Sequence, residues 1–337
     1  MNVHSLPHKG ISTISVVIPV LNERDNVLRA YDEVVRQFEC MGPKYDYEII
    51  FSDNHSTDGT EHELIKLAER DQRVKVLRLA RNFGFERSLL TAYRASTGDA
   101  VIPIDCDLQD PPSLIPDFVE RWEAGHDVVA GIREKRKEAM FLRLCRHLYY
   151  MLVTKIAGGN NLLEDAGDFR LVDRSVVDRL AFINDSHPYM RGLTSSLAAN
   201  QIGLCYERDE RTAGESKFPI SKLCAFAANG LVSNSLIPLR LATFTGILAF
   251  VISALVGLYY LTAWMLVGQE WPRGFATTTL LLVFGIGLNG IFIGIVGEYV
   301  GRIYEQVRQR PTTIIEWSIN MDDTSALEHA QVAGRRG

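Results

Sequence analysis

Two long stretches without a charged residue constrain this chain more than anything else in it. Residues 241–269 contain no Asp, Glu, Lys or Arg, and neither do residues 274–297. Each is longer than the about 20 apolar residues that an α-helix needs to cross a bilayer core of about 30 Å. One such run can be the central helix of a soluble core. Two in tandem, joined only by Glu270-Trp271-Pro272-Arg273, predict a hairpin of membrane helices at about 241–268 and 274–297. Gly246, Gly257, Gly285, Gly287, Gly290 and Gly294 suit it, because glycine lets membrane helices approach closely. Lys217, Lys222 and Arg240 precede the first run, Arg302, Arg308 and Arg310 follow the second, and the link offers one Arg. Positive residues favour the cytoplasmic side, so a multi-pass protein of the inner membrane with both termini in the cytoplasm is expected. Trp264, Trp271 and Tyr299 fall where interfacial aromatics belong.

The rest of the chain reads as soluble. A net charge of −5 over 337 residues lacks the basic excess of a nucleic-acid binder, so no nucleic-acid partner is expected. The 5 cysteines are scattered with no CxxC pair, which speaks for reduced thiols rather than a disulfide or zinc framework. Residues 1–11 form a tail without the apolar core of a signal peptide. β-rich runs at 14–20, 47–53, 74–79, 100–104 and 128–131 alternate with helical spacing at about 25–39, 60–68 and 85–96. That alternation predicts an α/β fold with a mostly parallel, doubly wound sheet. In such sheets ligands bind beyond the carboxyl ends of the strands, where the Asp-rich segments fall.

Asp105-Cys106-Asp107-Leu108-Gln109 is the strongest chemical signal. Two carboxylates two residues apart at a strand end, with Gln109 as a third donor, offer hard oxygens to Mg²⁺ or Mn²⁺. Aspartates at a strand end can also do no more than solvate a turn. Asp53, ending an earlier strand, is placed to meet a nucleobase in the same crevice, and Pro111-Pro112 stiffens the chain after the acidic pair. Thr57 and Asp58 read as helix caps and His55 as a surface side chain.

Val17-Ile18-Pro19-Val20-Leu21-Asn22-Glu23, Arg81-Asn82-Phe83-Gly84, Gly167-Asp168-Phe169-Arg170-Leu171 and Arg211-Thr212-Ala213-Gly214-Glu215-Ser216-Lys217-Phe218 complete a pattern. With Gly297-Glu298-Tyr299-Val300-Gly301-Arg302-Ile303-Tyr304 after the second run, it resembles a family-two, GT-A-type glycosyltransferase. The closer likeness is to the dolichyl-phosphate mannosyltransferase and bactoprenol glucosyltransferase group with a two-helix C-terminal anchor. It covers roughly residues 12–311, with Asn54 where many members have Asp and Phe85 where Lys is common.

The resemblance implies a nucleotide-sugar donor, a polyprenyl phosphate acceptor and contact with the lipid bilayer. It implies that Pro19, Leu21, Glu23 and Asp53 hold the nucleotide, that Asp105, Asp107 and Gln109 reach the metal and diphosphate, and that Cys106 between them lies against the nucleotide-sugar. It further implies that Arg133 faces the phosphates, that Arg211 and Lys217 belong to a phosphate-clamping loop, and that Arg143, Arg146 and Ser216 join Arg133 at the lipid phosphate. Asp168 is expected to orient a sugar hydroxyl or the acceptor, or else to pair with Arg170. The expected domains are a catalytic domain at 12–217, an amphipathic juxtamembrane region at 218–239, the anchor at 240–300 and a cytoplasmic tail at 301–337, loosely ordered after Pro311. A second amphipathic stretch, 141–156, fits core packing or, given its closeness to the apolar runs, an in-plane interfacial helix. Membrane hairpins often associate, so a homo-oligomer is compatible with the pattern. UDP-glucose is the expected donor, with GDP-mannose, UDP-GlcNAc or a modified pentose donor as alternatives. An inactive scaffold is the competing class, and a processive synthase lacks support because no Gln-x-x-Arg-Trp motif is present.

Overall fold

Strand-forming runs rich in Val and Ile, each followed by an amphipathic helix, build the observed sheet. A computed structural model describes residues 11–133, 166–183, 185, 188–206, 237–267, 274–308 and 311–321. Two units result: Met1–Lys217 with Gln309–Gly337, and Phe218–Arg308.

In the first unit the order is β1 (Ser12–Val20), α1 (Arg24–Met41), β2 (Tyr45–Asp53), α2 (Thr60–Arg70), β3 (Val74–Leu79) and α3 (Phe85–Ala95). β4 (Ala100–Pro103), α4 (Ile115–Glu123), β5 (Val128–Arg133), β6 (Ala166–Asp173), α5 (Arg174–Ala181), α6 (Met190–Leu197) and β7 (Gln201–Tyr206) follow. The last strand, β8 (Ile315–Ile319), comes after the second unit. Together they form an 8-stranded sheet in the order β7-β5-β6-β4-β1-β2-β3-β8. β1 runs parallel to β2 and β4, β2 to β3, and β5 to β7. β6 is antiparallel to β4 and β5, and β8 is antiparallel to β3. The expected α/β architecture is therefore present, with the antiparallel strands at β6 and at the β8 edge.

Alternation along β1 divides two cores. Ile14, Val16, Ile18 and Val20 face one core with Val27, Val34 and Phe38 of α1, Leu64 of α2 and Phe118 of α4. Val17 faces the other with Leu89 and Tyr93 of α3, Val176 of α5 and Met190 of α6. Burying one such Val, Ile or Leu side chain contributes about 1.5–3 kcal/mol. Phe169 of β6 stacks obliquely on Phe118, centroids 4.8 Å apart, and meets Tyr206 edge-on at 6.1 Å. Gly131 admits this packing, because a Cβ there would come within 2.8 Å of the Tyr206 ring.

At the amino ends of the parallel strands lies a buried ionic knot. Glu48 accepts from Lys75 at 2.6 Å, from the Ser15 hydroxyl at 2.5 Å and from the Thr97 backbone N–H at 2.6 Å. Burial pushes its carboxyl up, but these partners outweigh burial and hold it below the usual range. This end of the sheet is used for structure, leaving the carboxyl ends for chemistry.

The reading of everything after Pro311 as a loose tail is corrected here. Ala80 N–H donates to Ile314 O at 2.9 Å, and buried Thr313 shares a 2.8 Å hydrogen bond with Thr91 of α3. Asn320 donates to the carbonyls of Ala68 and Val74 at 2.8 and 2.9 Å. The short Ile315-Glu316-Trp317-Ser318-Ile319 run covers what would otherwise be an open edge of β3.

The second unit contains α7 (Ile237–Val267) and α8 (Phe275–Val307). α8 continues past the expected end of the apolar run at 297, through a Glu298–Arg302 pair one turn apart. Gly246 of α7 abuts the Phe292 ring of α8, where a Cβ would approach to 3.2 Å. Large apolar side chains stand exposed along both helices, among them Phe244, Leu255, Leu258, Phe284, Ile286 and Ile293. Among the described residues one segment, Phe284–Val307 with mean hydropathy 1.4, is long and apolar enough to cross a bilayer. A second span is not established by that criterion.

Candidate active site

The carboxyl ends of β1, β2 and β4 lie side by side, because register pairs Val20 with Asp53 and Val17 with Pro103. β5 ends at Arg133 on the same edge, and antiparallel β6 begins there and brings Asp168 with it. Leu21, Glu23, Asp53, Asp105, Cys106, Asp107 and Asp168 therefore gather along one edge of the sheet. Pro19 is tolerated in the central strand β1 because β4 leaves it near Pro103, after the Ile104 N–H has bonded Val17 O at 3.0 Å. Arg133 is placed by its backbone, opposite Tyr206 in the β5–β7 register. Arg143, Arg146, Arg211, Ser216 and Lys217, and the amphipathic stretch at 141–156, lie outside the described residues.

After β1 the chain turns through Asn22 at φ 59. This left-handed residue is fixed twice: its N–H donates to Ser56 Oγ at 2.9 Å, and its Oδ1 accepts from Thr57 N–H at 2.8 Å. Glu23 N–H donates to Thr60 Oγ1 at 3.0 Å. Asp58 accepts from the N–H of Thr60 and Arg24. Burial raises its carboxyl, and the Thr60 and backbone hydrogen bonds more than offset this and lower it. The cap expectation is thus half corrected. Gly59 is the N-cap residue of α2, Asp58 serves the first turn from outside it, and Thr57 joins two loops instead.

Asp53 is fully buried. One carboxylate oxygen accepts from Ser56 N–H at 2.9 Å and the other from Arg78 Nη1 at 2.6 Å. Its first task is therefore to set the loop after β2, and any base it serves is reached through that loop. Asn54, also buried, donates to Asn82 Oδ1 at 3.0 Å and accepts from Phe83 N–H at 2.8 Å. An aspartate cannot donate there, so the amide at this position ties down the Arg81-Asn82-Phe83-Gly84 loop.

The Asp105–Gln109 turn closes with Leu108 N–H on Asp105 O at 3.0 Å, and Leu108 sits at φ 53. Asp105 and Asp107 are both half-buried and flank buried Cys106. Burial pushes the Cys106 thiol far up, and the charges of Glu23, Asp107 and Asp105 add to the shift. It is a packed, protonated thiol rather than a nucleophile. Gln109 is buried, and its N–H donates to Asp107 Oδ1 at 3.2 Å. Among the described residues no three His, Cys, Asp or Glu side chains form a metal-sized cluster. The pair nevertheless suits a divalent cation of the Mg²⁺ type, which takes one or two carboxylates and fills the rest with water and phosphate oxygens.

Asp168 lies two residues from Arg170 and feels its charge. Arg191 of α6 grips it in bidentate fashion, Nε on Oδ1 at 2.7 Å and Nη2 on Oδ2. The Arg170 guanidinium turns inward to Thr194 Oγ1 at 2.7 Å and the Gly167 carbonyl, and burial lowers its pKa. Glu86 of α3 stands beside this pair and accepts from Met190 N–H at 3.1 Å. Burial, reinforced by the Asp168 charge, pushes the Glu86 carboxyl up to about 7. Sequence reading misses Arg191, Glu86 and Arg78. Their partners lie 23, 104 and 25 residues away, and no local spacing signals such pairs.

A model of glycosyl transferase family 2 matches residues 15–181. The SfII prophage-derived bactoprenol glucosyl transferase of Shigella flexneri is 38% identical over 90% of this chain and 98% of its own length. The chain is a family 2 glycosyltransferase. An uncharacterized glycosyltransferase of Bacillus subtilis is 32% identical to it, over 92% of this chain and 95% of that protein. Among solved structures, the M. tuberculosis glucosyl-3-phosphoglycerate synthase is similar at 22% identity and a TM-score of 0.44, with 66% of this chain and 78% of that chain covered. The glycosyltransferase thus carries its acidic edge within the matched region, and β8 lies beyond it.

Proposed function

We propose that this glycosyltransferase moves glucose from UDP-glucose to a polyprenyl phosphate such as undecaprenyl phosphate, at the cytoplasmic face of the inner membrane. The observation that carries this reading is the near full-length likeness to relatives named bactoprenol glucosyl transferase, one of them covered over 98% of its length. The exposed apolar surfaces of α7 and α8 support a membrane anchor. The basic flanks at Arg240 and Arg302 support a hairpin with both ends in the cytoplasm.

In this reading residues 12–217 are the catalytic domain, 218–239 lie at the membrane surface and 240–300 span it. Pro19, Leu21, Glu23 and the Asp53 loop hold the nucleotide. Asp105 and Asp107, with Gln109, hold Mg²⁺ or Mn²⁺ against the diphosphate. When bound, the cation stabilises negative charge on the departing nucleotide. The acceptor is a phosphate monoester, already anionic near neutral pH, and needs little help from a base. One acceptor oxygen bonds to C1 of glucose as the C1–O bond to UDP breaks, and the electron pair leaves with UDP. Attack from the face opposite an α-linked leaving group gives the inverted, β-linked lipid phosphosugar. Bringing two anions together is the harder task, and Arg133, Arg143, Arg146, Ser216, Arg211 and Lys217 serve it with charge-assisted hydrogen bonds. Asp168, gripped by Arg191, orients a sugar hydroxyl or the acceptor.

The test uses full-length protein in nanodiscs with undecaprenyl phosphate and radiolabelled UDP-glucose, followed by extraction into organic solvent. Extractable label whose release by mild acid yields glucose is the expected result. UDP binding without any lipid-linked label, from this or any of the alternative donors, would sink the reading. Asp107→Asn is expected to lower turnover by about 100-fold or more, and full activity in that variant removes the metal assignment.

A further inference from the structure

We propose that the C-terminal strand β8 is part of the donor site's positioning machinery, with Glu316 acting through Arg78 on the nucleotide-binding loops. The inference rests on the nucleotide site assigned above. Its starting point is an irregularity in pairing. β3 and β8 match Arg78 to Trp317 but Leu79 to Ile315, so Glu316 is the extra residue of a β-bulge. Bulges re-aim side chains, often beside functional sites. Here the bulged residue sends its carboxylate onto Arg78, which donates from Nε at 3.2 Å.

Arg78 is a hub. From its Nη1 it reaches Asp53 at 2.6 Å and Glu61 at 2.7 Å, and from Nη2 the Ser56 carbonyl at 3.3 Å. Its side chain is 9% exposed and that of Asp53 is 0% exposed, whereas Glu316 is 46% exposed at the rim. The chain of contacts continues from Asp53 to Ser56 N–H, and from Ser56 Oγ to the N–H of Asn22. Asn22 lies between Leu21 and Glu23, two residues assigned to the nucleotide. A carboxylate delivered by the last strand thus fixes the guanidinium that fixes the loops after β2 and β1. Three carboxylates around one guanidinium make its position sensitive to the removal of any one charge.

The experiment compares wild-type protein, Glu316→Gln and Asn320→Ala, all full length in nanodiscs, by calorimetric titration with UDP and by turnover with UDP-glucose and undecaprenyl phosphate. Asn320 ties the far end of β8 to Ala68 and Val74 and does not touch Arg78, so its variant reports loosened strand docking alone. Glu316→Gln is expected to raise the Kd for UDP and the donor KM by about three- to tenfold, leaving the acceptor KM within about twofold. Asn320→Ala is expected to lower Tm with a smaller change in UDP affinity. Equal UDP affinity in Glu316→Gln and wild type overturns the inference and leaves the functional reading standing. So does an equal loss of affinity in both variants, which would make β8 merely structural. No binding of UDP by wild type overturns the functional reading, and the inference with it.

Discussion

The sheet unit and the α7–α8 unit solve opposite solvent problems with the same kinds of residue. In the sheet unit Phe169, Phe118 and Ile14 are sealed inside, and ionised groups that enter the interior, such as Glu48, arrive with partners. In the helical unit Phe284, Ile286 and Ile293 face outward at 64%, 72% and 66% exposure. Exposed apolar surface on that scale is costly in water and costless in hydrocarbon. With the helical unit as the membrane anchor proposed above, burial is completed by two media, protein for one unit and lipid for the other.

The comparison breaks or holds first on paired truncations and on charge. Phe169→Ala is expected to cost about 3–5 kcal/mol by denaturant or thermal unfolding, while Phe284→Ala stays within about 0.5 kcal/mol. Equal costs would mean that Phe284 packs inside protein. Glu48→Ala removes the buried carboxylate on which Lys75, Ser15 and Thr97 converge, and a loss of about 3–5 kcal/mol is expected in the same assay. Ile293→Asp places a charge on the outward face of α8 and is expected to cost about 2.5–3.5 kcal/mol of membrane insertion, read by carbonate extraction of membranes. Retention in the membrane fraction equal to wild type would argue that this face meets water or another chain.

The smallest expected effect depends on pH and sharpens how the sheet unit handles a carboxyl whose burial and Asp168 neighbour outweigh the pull of Arg191 and Arg170. Glu86 titrates near 4.5 when unfolded and at about 7 when folded. Between those values the folded state holds the proton that the unfolded state has released, so stability is full below about 4.5 and falls as pH rises towards about 7. The loss is on the order of 2–3 kcal/mol. Glu86→Gln removes the titration, so its Tm relative to wild type should climb across that window. A constant difference would place the Glu86 carboxyl in water rather than against Asp168.

Much of this was legible from the chain alone where the signals are local. β-branched runs mark β1 to β5, helical spacing marks α1 to α3 to within a few residues, and the acidic segments lie at the strand ends where the edge of the sheet gathers them. What was not legible depends on distance. Ile315–Ile319 is short, half-polar and follows a membrane-like helix, and only its β3 partner makes it a strand. Asp168 and Arg170 announce each other by spacing alone, whereas Arg191 and Thr194, which packing of α6 supplies, are visible only in the fold. Buried Asp53 shows the same limit, since nothing beside it in sequence announces Arg78.

The return of the chain to β3 after α8 has a practical consequence. The enzyme's apolar helices are an insertion between two parts of one folding unit, so cutting before them does not release a finished catalytic domain. Such a fragment would present β3 as a bare hydrogen-bonding edge, open to adhesion between molecules. A soluble version is better made by joining residues 311–321 to the catalytic segment through a new linker, a rewiring of chain order that keeps every strand of the sheet.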